Sequence, residues 1–285
     1  MSELLSRTRE ICRMFEIKPA RSKGQNFLIN EKIYDDIVKA ADINKGDIVL
    51  EVGPGLGFLT ARLAKAAGQV IAVELDDQLA TYLQMAVDAQ DLDNVRIVNQ
   101  DILKFNVAKE LPADRSYKIV ANLPYNITSV FLRNFLSSQR QPATLVLMLQ
   151  KEVAQRIVAQ APDMSLLALS VQYYAKPYIV REVKAGNFWP EPEVDSAVIR
   201  LDCYLLDSKD SAQVEADRLF FRIARSGFSA KRKMLKNNLS VGLSLDQDII
   251  IRAFNQAGLK LTVRAEELSL ENWRKLVAAL LPFMV

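Results

Sequence analysis

The sequence predicts a doubly wound, Rossmann-like α/β domain with an antiparallel edge, followed by a small all-α C-terminal domain. Three observations lead there. From Asp47 onward, short β-branched runs alternate with amphipathic stretches. After Gln160, two β-rich runs follow one another with no helix between them. Beyond residue 206 no strand pattern remains.

In chain order, strands are expected at Ile48–Val52, Val70–Glu74, Val95–Val98, Lys118–Ala121 and Thr144–Leu149. Helices are expected near Leu59–Ala67, Gln78–Asp88, Ser129–Ser137 and Lys151–Ala159. Short, continuously apolar strands separated by helices argue for a parallel sheet covered on both faces. In such a sheet, ligands sit at the carboxyl ends of the strands. The runs Pro177–Val183 and Ser196–Tyr204 flank Gly186-Asn-Phe-Trp-Pro-Glu-Pro-Glu-Val194 and predict an antiparallel pair at the sheet edge. The polar stretch from Leu206 to Ser211 reads as a linker, so the expected domains are residues 1–206 and 207–285. In the second, Asp246 and Gly258 bracket a helix holding Ile250 and Phe254. Trp273, Leu276, Val277, Leu280 and Leu281 then form one apolar stripe, with Ser269 suited to the N-cap and Glu271 to the first turn.

Composition narrows the chemistry. Of 285 residues half are apolar, which permits a well-buried core. No apolar run approaches the roughly 18 residues that span a bilayer, so no membrane role is expected. Met1–Lys23 is charged throughout, unlike a secretory signal, and Cys12 and Cys203 have no metal-ligand spacing, so a reduced cytoplasmic setting without a metal is expected. The chain has no histidine, which removes Ser-His-Asp and Cys-His catalysis and the usual neutral-pH proton shuttle. An enzyme built this way needs a reaction with little general-base demand, such as methyl transfer from a sulfonium. Net charge is only +3, but residues 218–238 carry seven basic side chains and no acidic one. Arg222, Arg225, Lys231, Arg232, Lys233 and Lys236 within that run fit phosphate contacts, and equally a solvated helix face.

Candidate ligand contacts fall at successive strand ends. Leu50-Glu-Val-Gly-Pro-Gly-Leu-Gly-Phe-Leu-Thr60 closes the first predicted strand and opens a helix, with Gly53, Gly55 and Gly57 allowing close backbone approach. Such loops serve nucleotide ligands and also plain tight turns. Glu74 ends the second strand, where a carboxylate can accept both ribose hydroxyls or simply start a helix. Asp101 follows the third, placed to receive an adenine amino group or to cap a turn. Together they suit an adenosine-bearing ligand, without separating NAD from S-adenosylmethionine.

Asn122-Leu-Pro-Tyr125 follows the fourth strand. An adenine amine is a poor nucleophile because its lone pair is delocalised into the ring. The Asn122 side-chain oxygen and the Leu123 carbonyl could each accept one of its N–H groups, favouring a tetrahedral nitrogen. Pro124 fixes the turn, and Tyr125 offers a face on which an extruded base can stack. A plain Asn-Pro loop with a packed tyrosine is the alternative.

With these residues in place, the chain resembles the ribosomal RNA adenine dimethylase family, most closely its small-subunit, KsgA-type branch. The matching text is Gly24-Gln-Asn-Phe-Leu28, the Gly53–Gly57 loop, Glu74, Asp101, Asn122-Leu-Pro-Tyr-Asn-Ile-Thr128, Gln150–Arg156, Phe188–Ser196, Lys231–Leu239 and Arg264–Leu270. The resemblance implies a class I S-adenosylmethionine methyltransferase sheet with the cofactor held by Asn26, Leu28, Gly53, Glu74, Asp101 and Asn122. It implies that Asn122 to Tyr125 present the target amine and that Phe188 sandwiches the base opposite Tyr125. The implied activity is N6,N6-dimethylation of two adjacent adenines in 16S ribosomal RNA during small-subunit biogenesis, by a monomer acting on the small-subunit precursor. Rival readings are a large-subunit methylase conferring antibiotic resistance, an RNA-binding assembly factor with secondary catalysis, a DNA adenine methylase and an NAD oxidoreductase. The Lys231–Leu239 and Arg264–Leu270 runs favour the small-subunit branch, and the Asn-Leu-Pro-Tyr turn has no purpose in hydride transfer.

Overall fold

A computed structural model describes residues 3–19, 25–124, 127–204 and 211–284. In chain order its first elements are α1 (Glu3–Met14), β1 (Phe27–Leu28), α2 (Glu31–Ala41), β2 (Ile48–Val52), α3 (Phe58–Ala66), β3 (Gln69–Glu74) and α4 (Asp77–Asp88). There follow β4 (Val95–Asn99), α5 (Val107–Glu110), β5 (Tyr117–Asn122), α6 (Thr128–Leu136), β6 (Thr144–Gln150), α7 (Lys151–Val158) and α8 (Leu166–Tyr174). The chain continues through β7 (Ala175–Val183), β8 (Phe188–Trp189), β9 (Ser196–Cys203), α9 (Ser211–Gly227), α10 (Leu235–Leu243), α11 (Gln247–Gln256) and α12 (Leu270–Leu280). Among the described residues no helix is long and apolar enough to cross a membrane.

The chain divides into two compact units. The first, residues 1–154 with 175–205, is built on a seven-stranded sheet in the order β4-β3-β2-β5-β6-β9-β7. The five strands from β4 to β6 are parallel, while β9 runs antiparallel to both β6 and β7. Every residue of the central β2 is buried, as an apolar strand covered on both faces must be. The predicted strands are all present. The antiparallel pair is present too, with the last strand in sequence inserted between β6 and β7, so that β7 forms the edge.

Capping explains where helices start. Asn30 accepts the Lys32 N–H at the head of α2, and Asp76 accepts from Gln78 and Leu79 at the head of α4. The N-terminal region holds two helices, α1 and α2, that were not among those expected from the sequence. In α1, Leu4, Thr8, Ile11 and Cys12 are the buried positions, an i, i+4, i+7, i+8 stripe facing the core.

The second unit comprises residues 155–174 and 206–285. It corrects the expected boundary, because residues 155–174 were assigned to the first domain. The reason is packing: Met164, Ala168 and Leu169 share one core with Phe220, Ile223, Leu239, Phe254 and Trp273. The hydroxyls of Tyr173 and Tyr174 also both donate to the buried Asp217 carboxylate, each at 2.9 Å. Ser269 caps α12 through the Asn272 N–H, and Trp273, Leu276, Val277 and Leu280 form its buried face. Leu281 departs from the predicted stripe. The helix gives way there to a 3-10 turn holding Pro282, and the side chain is exposed.

Candidate active site

A cavity of about 290 Å³ opens at the carboxyl ends of β2, β3 and β5, lined by Gly53, Gly55, Glu74, Asp101, Asn122 and Pro124 among others. Local sequence dictates this convergence. Gly53, Gly55 and Gly57 all have positive φ, which side-chain-bearing residues rarely adopt. A Cβ on Gly53 would stand 3.4 Å from the Asn122 carbonyl oxygen, so the glycine loop lies against the turn that ends β5. A Cβ on Gly55 would meet the Phe27 ring at 3.3 Å, which places β1 directly over the loop.

Glu74 ties loop to strand end. Its Oε2 accepts the Gly55 N–H at 3.1 Å and its Oε1 accepts the Asp76 N–H at 3.0 Å. Burial raises its pKa, while those N–H groups oppose the shift. Asp101 does both things open to it: it lines the cavity, and its Oδ1 caps a short 3-10 turn through the Leu103 N–H at 2.9 Å.

Asn122 is half-buried, and its side-chain N–H donates to the Asn26 carbonyl at 3.4 Å. That donation turns the other end of the amide into the available acceptor. Among the described residues neither Asn122 Oδ1 nor the Leu123 carbonyl accepts a hydrogen bond. Leu123 itself is buried, and its N–H donates to the Met148 carbonyl at 3.3 Å. Asn26 and Leu28 also line the cavity, and the Tyr34 hydroxyl donates to the Leu28 carbonyl at 2.9 Å.

Phe188 is brought against β1 but does not line the cavity. It pairs with Leu28 in a two-stranded antiparallel sheet, is 4% exposed and packs in one core with Phe27 and Leu28. Tyr125 lies outside the described residues. The cavity also has lining residues that sequence reasoning missed: Tyr34, Glu51, Leu75 and Met148. Glu51 left a signal, since it is the one charged residue in the apolar run Ile48–Val52.

In the second unit Arg222, Arg225, Lys231, Arg232 and Lys233 are exposed and Lys236 is half-buried. Among the described residues none of these six forms an ion pair, whereas Arg218 is bound to Glu215 at 2.6 Å. No group of three or more histidine, cysteine, aspartate or glutamate side chains is arranged to hold a metal among the described residues.

Five parallel strands with an inserted antiparallel strand, a glycine loop after the central strand and polar groups at neighbouring strand ends make up the Rossmann-like class I methyltransferase fold. Residues 17–280 match the model of the family described as ribosomal RNA adenine dimethylase, and the chain belongs to that family. It is 44% identical, over 96% of its length and 92% of the relative's, to ribosomal RNA small subunit methyltransferase A of Dehalococcoides mccartyi. Among solved structures, it resembles a dimethyladenosine transferase from Plasmodium falciparum at TM-score 0.76 and 26% identity, over 90% of this chain and 97% of that one. It resembles the 23S rRNA methyltransferase ErmE at TM-score 0.71 and 26% identity, over 90% of this chain and 99% of that one.

Proposed function

We propose that the protein transfers methyl groups from S-adenosylmethionine to the exocyclic N6 of two adjacent adenines in 16S ribosomal RNA, giving N6,N6-dimethyladenosine during small-subunit biogenesis. The observation that carries this reading is the shared cavity, in which Asn122 and Pro124 stand with Gly53, Glu74 and Asp101. The residues fit the cofactor: Glu74 and Asp101 offer carboxylates to an adenosine moiety, and glycines let the backbone approach it. Asn26, Leu28 and Gly55 also line the cavity. S-adenosylmethionine supplies an electrophilic methyl group on a sulfonium.

The chain's own part is positioning and charge. Asn122 Oδ1 and the Leu123 carbonyl take the two N–H groups of the amine and stabilise the positive charge that develops on nitrogen. Pro124 holds the turn, and the resulting ammonium is acidic enough to lose its proton to water. The stacking roles assigned to Tyr125 and Phe188 belong to this proposal, and for Phe188 they require that base entry expose a side chain that is buried here. Cys12 and Cys203 form no disulfide among the described residues, which fits the cytoplasmic setting we propose, and we read the protein as a monomer there.

Similarity to the 23S enzyme ErmE is no stronger than to the dimethyladenosine transferase, and the 44% relative carries a small-subunit name. The large-subunit reading is therefore not favoured. Radiolabelled methyl transfer to small-subunit particles and to large-subunit RNA, followed by nucleoside analysis, tests the choice. Dimethyladenosine from the small-subunit substrate alone is expected, and label in large-subunit RNA alone would overturn the reading.

The unpaired basic cluster is the proposed phosphate grip. Reversing Lys231, Arg232 and Lys233 to glutamate should weaken RNA binding and flatten its dependence on salt by about three counterions' worth of slope. Filter binding at several salt concentrations measures this, with cofactor titration as the control. An unchanged slope would return the cluster to a solvated face.

A further inference from the structure

β8 has one strand neighbour, β1, and the pair is two residues long, with Leu28 opposite Phe188 and Phe27 opposite Trp189. Backbone pairing that short is marginal by itself. It is extended by the residues just outside it. The Ile29 N–H donates to the Asn187 carbonyl at 2.8 Å, and the Asn30 side-chain N–H donates to Asn187 Oδ1, also at 2.8 Å.

A second hydrogen bond fixes which way each amide points. Asn30 Oδ1 accepts the Lys32 N–H at 3.1 Å as the cap of α2, so its nitrogen is the end left to face Asn187. The Asn187 side-chain N–H donates to the Lys184 carbonyl at 3.0 Å, so its oxygen is the end left to face Asn30. Donor therefore meets acceptor with no choice of orientation.

The two strands are not anchored equally. β1 has three further ties: Asn122 donates to the Asn26 carbonyl, the Phe27 ring lies against Gly55, and the Tyr34 hydroxyl donates to the Leu28 carbonyl. On β8, the Arg9 guanidinium lies over the Trp189 ring, 5.8 Å from its centroid, at the end away from Asn187. At the Phe188 end, among the described residues, the polar side-chain tie is the Asn30–Asn187 pair.

We propose that Asn30 and Asn187 are positioning residues for Phe188, their amide pair fixing the backbone from which the ring meets the target base. The proposal rests on reading Phe188 as the stacking partner of that base. The ring is buried here and must leave its core to admit a base, so the peptide that carries it has to stay in place while the side chain moves. The pair anchors the residue immediately before it. Without the pair, β1 keeps its own three ties and the cofactor cavity keeps its lining, while the seating of the base is lost.

Single-turnover methyl transfer to small-subunit particles tests this, with cofactor titration and melting temperature measured on the same variants. Asn30→Ser keeps a good cap for α2 but is too short to reach Asn187, and Asn187→Ala removes the acceptor. Each should slow methyl transfer about tenfold, because displacing a positioned group by a fraction of an ångström is costly. S-adenosylmethionine affinity should stay within about twofold and the melting temperature close to wild type, since water replaces a half-buried hydrogen bond at small net cost. The double variant should be no slower than the slower single one, as both break the same interaction. Asn187→Asp keeps the acceptor and should recover most of the loss.

Wild-type turnover in either single variant, or losses that add in the double variant, would overturn the proposal. So would a fall in melting temperature and cofactor affinity in step with turnover, which marks a merely structural role. Phe188→Leu separates the two readings. If it methylates at the wild-type rate, the stacking role and the positioning role both fall; if it is slow while the asparagine variants are not, the positioning role alone falls.

Discussion

Replacing Asn122 by alanine is expected to lower turnover by roughly 10²- to 10³-fold, the usual cost of removing one preorganised polar group aimed at developing charge. Cofactor affinity should change by no more than about fivefold, the equivalent of one ordinary hydrogen bond of ~1 kcal/mol. The asymmetry follows from the geometry. Asn122 donates its side-chain N–H to the Asn26 carbonyl and its Oδ1 accepts from no described residue, whereas Glu74 and Asp101 stand at the ends of other strands. Single-turnover methyl transfer and cofactor titration on the same variant separate the two effects. Turnover equal to wild type would remove Asn122 from the reaction. Loss of turnover and binding together would make it a structural link between Asn26 and the turn.

The second large effect lies in the helical unit. Trp273 is fully buried, stacks on Phe228 with centroids 5.4 Å apart and donates its indole N–H to the Ala265 carbonyl at 3.3 Å. Trp273→Ala opens a cavity and leaves that carbonyl without its donor, at a cost of about 3–5 kcal/mol. Natural domains hold only about 5–15 kcal/mol in total, so a unit of this size should melt at least about 12 °C earlier. The cavity proposed for the cofactor is lined by residues of the other unit, so cofactor binding should persist at temperatures where the variant no longer methylates RNA. Calorimetric scans with and without cofactor would reveal this as a separate early transition that the ligand does not move. An unchanged melting profile would mean that the unit draws its stability from elsewhere.

Periodicity decided how much of this was legible. The strands β2 to β6 are short apolar runs between helices, and each was found to within a residue at either end. Glycine spacing and three polar strand ends marked the residues that meet in one cavity. What escaped needed tertiary information. The two-residue strands β1 and β8 exist only because they pair with each other, Phe27 with Trp189 and Leu28 with Phe188, and no period can appear in so short a run. Residues 155–174 follow the sheet without a break in sequence, and only their contacts with Phe220 and Asp217 draw them into the helical unit. Glu51 was visible as an acid in an apolar strand. Its isolation was not, since an unpaired carboxyl can be recognised only once every neighbour is known.

The proposed methyl transfer depends on the turn after β5 holding the target amine. A crystal structure with S-adenosylhomocysteine and an adenine nucleotide bound tests it most directly. The adenine N6 is expected within hydrogen-bond distance, about 2.7–3.2 Å, of both Asn122 Oδ1 and the Leu123 carbonyl oxygen, facing the cofactor sulfur. A base seated elsewhere, with Asn122 still bound only to Asn26 and the Leu123 carbonyl unvisited, would contradict it.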